Sequence, residues 1–201
     1  MKQHAFPATI HDRLTIRYFR KSLPRDQRKQ FAVSVADMMA SEGDFATDLV
    51  TRNHLLVGSC VVCAYRRWLA IGLRKQAAKA KVGRSIANLS ARSSRFLLRL
   101  IYLFSRDAFE TTRRYTSEKI GAVYGPSFDI EFGEIEGGFV SIVNACGYRA
   151  FLCRHGVEEL LGLFCEWDRV WIGALPDTID FNRPSTIAQG AETCRFEFTR
   201  S

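Results

Sequence analysis

From Leu23 to Tyr124 apolar side chains recur at spacings of three and four, and only after Tyr124 does the spacing shorten to two. Leu23-Pro-Arg-Asp26 opens the first predicted helix, with proline and an acid where a first turn favours them. That helix runs to about Ser41, buries Phe31, Val35, Met38 and Met39, and stops at Glu42-Gly43-Asp44. The preceding stretch, with Ile10, Leu14, Ile16, Tyr18 and Phe19, shows no clear period. Leu55, Val57, Val61, Ala64, Tyr65, Trp68, Leu69 and Leu73 then predict one helix from about Thr51 to Ala80, broken by Gly83. A further helix is predicted over Ser94 to Ile120, carrying Phe96, Leu97, Leu100, Tyr102, Leu103 and Phe109 with five arginines on its other faces. Beyond Tyr124-Gly-Pro126, Phe128–Phe132 alternates and Phe139–Val143 is apolar and β-branched, a strand pair around the turn residues 133–138. Helical spacing returns over 148–167, and Val170 to Leu175 fits either type. Asp180-Phe-Asn and Cys194–Phe198, bridged by a loop from Pro184 to Thr193, predict a last antiparallel pair.

The order predicts an α+β fold: an N-terminal helical half, then a small, mostly antiparallel sheet with ββαββ order. A chain of 201 residues is read as a single domain. Charge divides it. Residues 1–124 carry 23 Lys and Arg against 9 Asp and Glu, whereas residues 125–201 carry 6 against 12. The basic residues are dispersed over several helices without an aromatic–basic motif of the single-strand binders, so nucleic acid is not expected as a partner. Arg95, Arg99 and Arg106 fit an anionic surface, and they fit equally a packed helix whose arginines snorkel to water. No apolar run is long enough for a transmembrane segment, and Met1-Lys-Gln-His-Ala-Phe-Pro lacks the apolar core of a secretory signal, so a cytoplasmic location is expected. Composition leaves the oligomeric state open.

Six cysteines in such a chain read as thiols, ligands or a nucleophile before disulfides. Cys60-Val-Val-Cys63 lies in mid-helix between apolar neighbours. It lacks the turn or helix start that redox and zinc motifs use, which makes it core. The last third is different. Cys146 follows a strand, Cys165 and Asp168 stand three apart, and Cys194 opens the final strand. Their separations, 18 and 28 intervening residues, match no tight zinc knuckle. His155, beside Gly156, is either a proton carrier for a thiol or the end of a helical turn. Arg183 and Thr186 follow the third predicted strand, where an arginine either clamps a carboxylate or forms a surface ion pair.

Cys146-Gly-Tyr148, Glu159-Leu-x-x-x-Phe164-Cys165-x-x-Asp168 and Phe181-x-Arg183-x-x-Thr186-Ile-Ala-x-Gly190-x-x-x-Cys194-x-Phe-x-Phe198 resemble the signature of the L-2-amino-thiazoline-4-carboxylic acid hydrolase family. The likeness covers about the last 60 residues and is diffuse upstream, where it consists of Ala64-Tyr65-x-x-x-Leu69-x-x-Gly72. It implies a cytosolic bacterial hydrolase acting on a small-molecule carboxylate, its named activity opening a cyclic 2-aminothiazoline to N-carbamoyl-cysteine. The family often carries Asp after the last cysteine, where this chain has Arg195, a departure that bears on the substrate.

Opening such a ring requires water at the amidine-like carbon, a base or nucleophile, a donor for the departing sulfur and a stabiliser of the tetrahedral centre. On the resemblance, Asp168 is the base or the partner of a protonated amidine. Cys146 is the nucleophile or proton donor, Cys165 and Cys194 line the pocket, and Arg183 holds the carboxylate. Thr186 and His155 complete the expected substrate contacts. No cofactor is required, although the same thiolates with Asp168 would suit zinc or iron. The alternative is a non-catalytic small-ligand-binding or sensor module with a cysteine-lined pocket, similar to vinyl-reductase-type sensor domains.

Overall fold

The computed structural model describes residues 9–89 and 91–201. It divides into two compact units, one formed by the chain up to Leu89 with Ala150–Leu160, the other by the chain from Ala91 to Arg149 with Leu161–Ser201.

The first unit is helical: α1 (Ile10–Lys21), α2 (Arg28–Ser41), α3 (Leu49–Ala70) and α4 (Lys75–Asn88). The stretch around Ile10 and Phe19, aperiodic in sequence, folds as α1 because its ends are specified by polar groups. Thr9 and Asp12 form a reciprocal capping box, and Arg20 and Lys21 occupy the last turn. Asp12 also accepts two hydrogen bonds from Arg52 of α3, at 3.0 and 2.6 Å. That bidentate pair holds its carboxyl well below the usual carboxylate range. The predicted entry at Pro24 is a short 3-10 turn, Arg25–Gln27, leading into α2. Met39 stays half-buried beside buried Phe31, Val35 and Met38.

The axis of this unit is α3, started by Asp48, whose carboxylate accepts the N–H groups of Val50 and Thr51. Its middle is buried on every side, from Leu55 through Tyr65, and Cys60 and Cys63 are part of that core. Burial raises both thiols, Cys63 to about 11. The single helix expected over 51–80 is two helices. Gly72 adopts φ +88°, and the N–H of Leu73 returns to the Trp68 carbonyl, a left-handed stop that only glycine makes cheaply. Gly83, expected as a break, lies inside α4.

In the second unit the helix expected over 94–120 is three: α5 (Ala91–Leu103), α6 (Ala108–Glu118) and α7 (Ile120–Tyr124). Asp107 interrupts the periodicity by capping α6 through the Glu110 N–H. The strands are β1 (Asp129–Ile135), β2 (Gly138–Ala145), β3 (Ile179–Ser185) and β4 (Cys194–Arg200). They form one antiparallel sheet in the order β1-β2-β4-β3, so the α+β, ββαββ expectation holds. Between the two pairs in sequence lie α8 (Gly147–Arg154), which from Ala150 belongs to the first unit, and α9 (Leu161–Trp167) and α10 (Arg169–Ile172) of the second, where one helix was expected. The turn after α8 is made by Gly156 at φ +65°.

One face of the sheet is aromatic. Phe139 stacks on Phe198 at 4.7 Å, and Phe109 of α6 meets Phe139 edge-on at 5.3 Å. Trp171 of α10 packs against the same cluster, with Phe181 at 5.6 Å. Gly138 permits the close approach of β2 to β4, since a Cβ there would fall 1.9 Å from the Phe198 carbonyl oxygen. No helix among the described residues is long and apolar enough to cross a membrane.

Candidate functional site

The sheet and the short helices of the second unit converge on the thiols. Cys146 occupies the step from β2 into α8. There its sulfur is opposed by the backbone N–H groups of Arg149 and Tyr148, the orphan donors of a helix start. The chain passes so close to Ser127 that a Cβ at Gly147 would lie 2.9 Å from its carbonyl oxygen. Tyr148 then stacks on Phe164 of α9 at 4.1 Å, while Phe128 touches Tyr148 at 5.5 Å and Tyr124 at 5.0 Å. These rings wall the step.

Cys165 belongs to α9, and Asp168 is the hinge residue between α9 and α10. The Asp168 main-chain carbonyl accepts the N–H groups of Trp171 and Ile172. Its carboxylate accepts Trp171 Nε1–H at 3.2 Å and Arg183 Nη1–H at 3.1 Å. The same Nη1 reaches the Cys165 carbonyl at 3.4 Å, and the guanidinium lies 5.8 Å from the centre of the Phe196 ring. Arg183 gets there because the pairing of β3 with β4 shifts between Asn182 and Ser185. That irregularity frees the arginine from the ladder. Its Nε and Nη2 make no hydrogen bond with a described residue.

Cys194 starts β4, and its buried sulfur accepts the Ile187 N–H at 3.2 Å. That donor is held by a short turn, Ile187–Gln189, which Gly190 ends at φ +92°. Thr186, buried beside it, donates to Gln189 Oε1 at 2.9 Å, so its hydroxyl is engaged in shaping this turn.

The thiols of Cys146, Cys165 and Cys194 and the Asp168 carboxyl lie within one another's electrostatic reach. Burial dominates all of them. It raises the Cys146 and Cys194 thiols, against the local N–H donors, and pushes Cys165 up to about 12 with Asp168 adding to the rise. Tyr124 and Tyr148 are raised for the same reason. Desolvation pushes Asp168 up to about 6, opposed by the Trp171 hydrogen bond and the Arg183 charge. Near neutral pH the thiols therefore keep their protons, and Asp168 is the group in this cluster poised to exchange one.

His155 lies in the first unit. Its Nε2 pairs with Glu42 at 2.9 Å, Glu42 also receives Arg154 at 2.5 Å, and Arg66 donates to the His155 carbonyl at 2.9 Å. With Asp37, Cys63, Arg66 and Arg67 it lines a cavity of about 440 Å³ in that unit. Among the described residues no group of three or more His, Cys, Asp or Glu is set to hold a metal ion. At the thiols, the cation beside Asp168 is Arg183 at 3.1 Å. A metal would also have to displace protons from three thiols raised by desolvation, of which Cys194 is buried and Cys146 and Cys165 half-buried.

Arg195, the departure from the family pattern, alternates with Cys194 and so projects from the opposite side of β4, where its Nε pairs with Glu197 at 2.6 Å. Three contributors escaped the sequence reading. Trp171 lay in the segment that fitted either helix or strand, and Tyr124 stood in an apparent turn. Tyr148 was visible only as part of Cys146-Gly-Tyr148.

The family model described as L-2-amino-thiazoline-4-carboxylic acid hydrolase matches residues 54–198. No curated protein and no solved structure matches the chain. The match spans both the core of α3 and the whole thiol-and-aspartate cluster, and the chain belongs to the L-2-amino-thiazoline-4-carboxylic acid hydrolase family.

Proposed function

We propose that the protein hydrolyses a small cyclic amidine bearing a carboxylate, of the 2-aminothiazoline-4-carboxylate type, by adding water to the ring C=N carbon. The observation that carries this reading is Asp168, pushed up to about 6 between Arg183 and Trp171 and beside three protonated thiols. Above that pH the carboxylate is ionised. It attracts a protonated amidine and accepts a proton from the water that attacks the ring carbon. The carbon–sulfur bond of the tetrahedral centre then breaks, and the departing ring sulfur takes a proton from the Cys146 thiol. The hydroxyl on the former ring carbon gives its proton to solvent as it becomes the carbonyl, and Asp168 returns the proton it took from water to Cys146. The protonated amidine and water thus become one open-chain product carrying a thiol and a carbamoyl group, with the amidine's extra proton released.

The raised thiol favours Cys146 as donor over nucleophile, because a nucleophilic role needs the thiolate. Cys165 and Cys194 wall the reacting centre, and the free Nε and Nη2 of Arg183 bind the substrate carboxylate while Nη1 holds Asp168. Thr186 acts through the turn that aims the Ile187 N–H at Cys194.

The test is to incubate the protein with 2-aminothiazoline-4-carboxylate and related cyclic amidine and amide carboxylates, titrating released thiol and following melting temperature. Thiol release is expected, reduced about 100-fold or more by Asp168→Asn and by Cys146→Ala. Unchanged turnover in both variants would sink the assignment. Stabilisation by a ligand without turnover of any would turn the reading to a binding module.

A further inference from the structure

Helix α5 is fixed on one side and bare on the other. Its inner side packs near α10, and the Tyr102 hydroxyl bonds Thr112 of α6 at 3.0 Å. Its outer side is apolar: Phe96 is 67% exposed, Leu97 59%, Leu103 76% and Phe104, directly after the helix, 81%. At about 100° per residue, Leu103, Phe96, Leu100, Phe104, Leu97 and Ile101 fall on one arc of about 160°. Arg92, Arg95 and Arg99 fall on the adjoining arc, about 60° wide.

Exposed apolar residues scattered singly mean little, whereas a contiguous stripe of this size on one helix marks an interaction surface. The charges decide which kind. From Ala91 to Arg106 there is no acidic residue, and Arg92, Arg95, Arg99 and Arg106 make no ion pair with a described residue. A second copy docking through this stripe would bring two uncompensated arginine rows together. A phospholipid surface rich in anionic headgroups neutralises the row while its acyl boundary takes up the phenylalanines and leucines. The helix is too short and too charged to span, so it would lie in the plane of the interface.

We propose that α5 is an interfacial helix by which the protein associates reversibly with anionic membranes. The arginine stripe supplies the preference for acidic lipid and the apolar stripe supplies the insertion. This association is independent of the ring-opening reaction and of the residues assigned to it.

Co-sedimentation of the intact protein with phosphatidylcholine vesicles, with and without phosphatidylserine, reads the proposal directly. Binding is expected to the mixed vesicles, stronger than to phosphatidylcholine alone by about a hundredfold for three arginines at the surface, and to fall steeply with added salt. Phe96→Ser with Phe104→Ser, at two exposed positions, is expected to abolish binding without lowering melting temperature. Arg95→Gln with Arg99→Gln is expected to cut the preference for phosphatidylserine by about thirtyfold. Equal binding to both vesicle types, or none to either, overturns the proposal. So does a finding by sedimentation velocity that the phenylalanine double variant converts a dimer to a monomer while the unaltered protein ignores vesicles.

Discussion

Asp168→Asn gives a prediction whose size can be worked from the structure. The carboxyl is pushed from 3.8 up to about 6, and its side chain is only 14% exposed, so solvent screening removes little of the effect. Between those two values the folded protein binds a proton that the unfolded chain has already released. Stability contributed at this site is therefore fullest below pH ~4, falls as pH rises toward 6, and is level above it. Two units at about 1.4 kcal/mol each amount to about 3 kcal/mol lost across the window. Asp12 and Asp48, whose carboxyls are lowered, slope the other way, so the absolute curve mixes opposite contributions. The difference between the parent and Asp168→Asn isolates the site. Asparagine keeps an oxygen for Trp171 Nε1–H but cannot titrate. Urea unfolding of both proteins from pH 4 to 7.5, roughly the span of the titration, is the assay. We expect the parent to lose about 3 kcal/mol relative to the variant on going up through the window. A difference curve flat over that range would show that Asp168 is not held up by burial, and the proton-transfer role proposed for it would lose its physical basis.

Two further outcomes follow from neighbouring geometry. Arg183→Gln removes the cation that opposes the rise of Asp168, so the acidic limb of the activity profile should move upward by about one pH unit, together with a raised KM for carboxylate substrates; a limb that stays in place refutes the coupling. Gly138→Ala puts a methyl group 1.9 Å from the Phe198 carbonyl, a clash with backbone that must separate β2 from β4. A loss of at least about 3 kcal/mol in chemical denaturation is expected, and a neutral substitution would contradict the sheet register.

Short-range physics makes much of this protein legible in its sequence. Alternation at Phe128–Phe132 and Cys194–Phe198, with turn residues between runs, leaves few alternatives to two antiparallel pairs, and these are β1–β2 and β3–β4. The position of Cys60 and Cys63 among valines in a long apolar helix likewise dictated burial. Helix ends were less legible. A left-handed residue at Gly72 and a cap at Asp107 stop α3 and start α6, yet periodicity runs straight through both. Gly83 looks like a break and is none, because one half-buried glycine costs a helix only about 1 kcal/mol, which packing of Val82 and Ile86 offsets.

At the site, chain order already placed Cys146, Cys165, Asp168, Arg183 and Cys194 at the ends of elements, where side chains are free to converge. Only the tertiary structure decided what surrounds them. Burial depends on which segments pack together, and the hydrogen bonds depend on local conformation, which sets Trp171 on Asp168 and Ile187 on Cys194, and on the β3 strand that brings Arg183 to Asp168. Desolvation by that burial, opposed by those contacts, sets the protonation of the thiols and of the carboxyl. The same holds for α5. Its arginines and phenylalanines read equally as core or as surface in sequence, and the packing of its opposite edge is what leaves the apolar stripe bare. The sequence by itself determined the strand pairs and the helical stretches; the burial that desolvates Asp168 and the packing that leaves one side of α5 bare arise only when those segments come together.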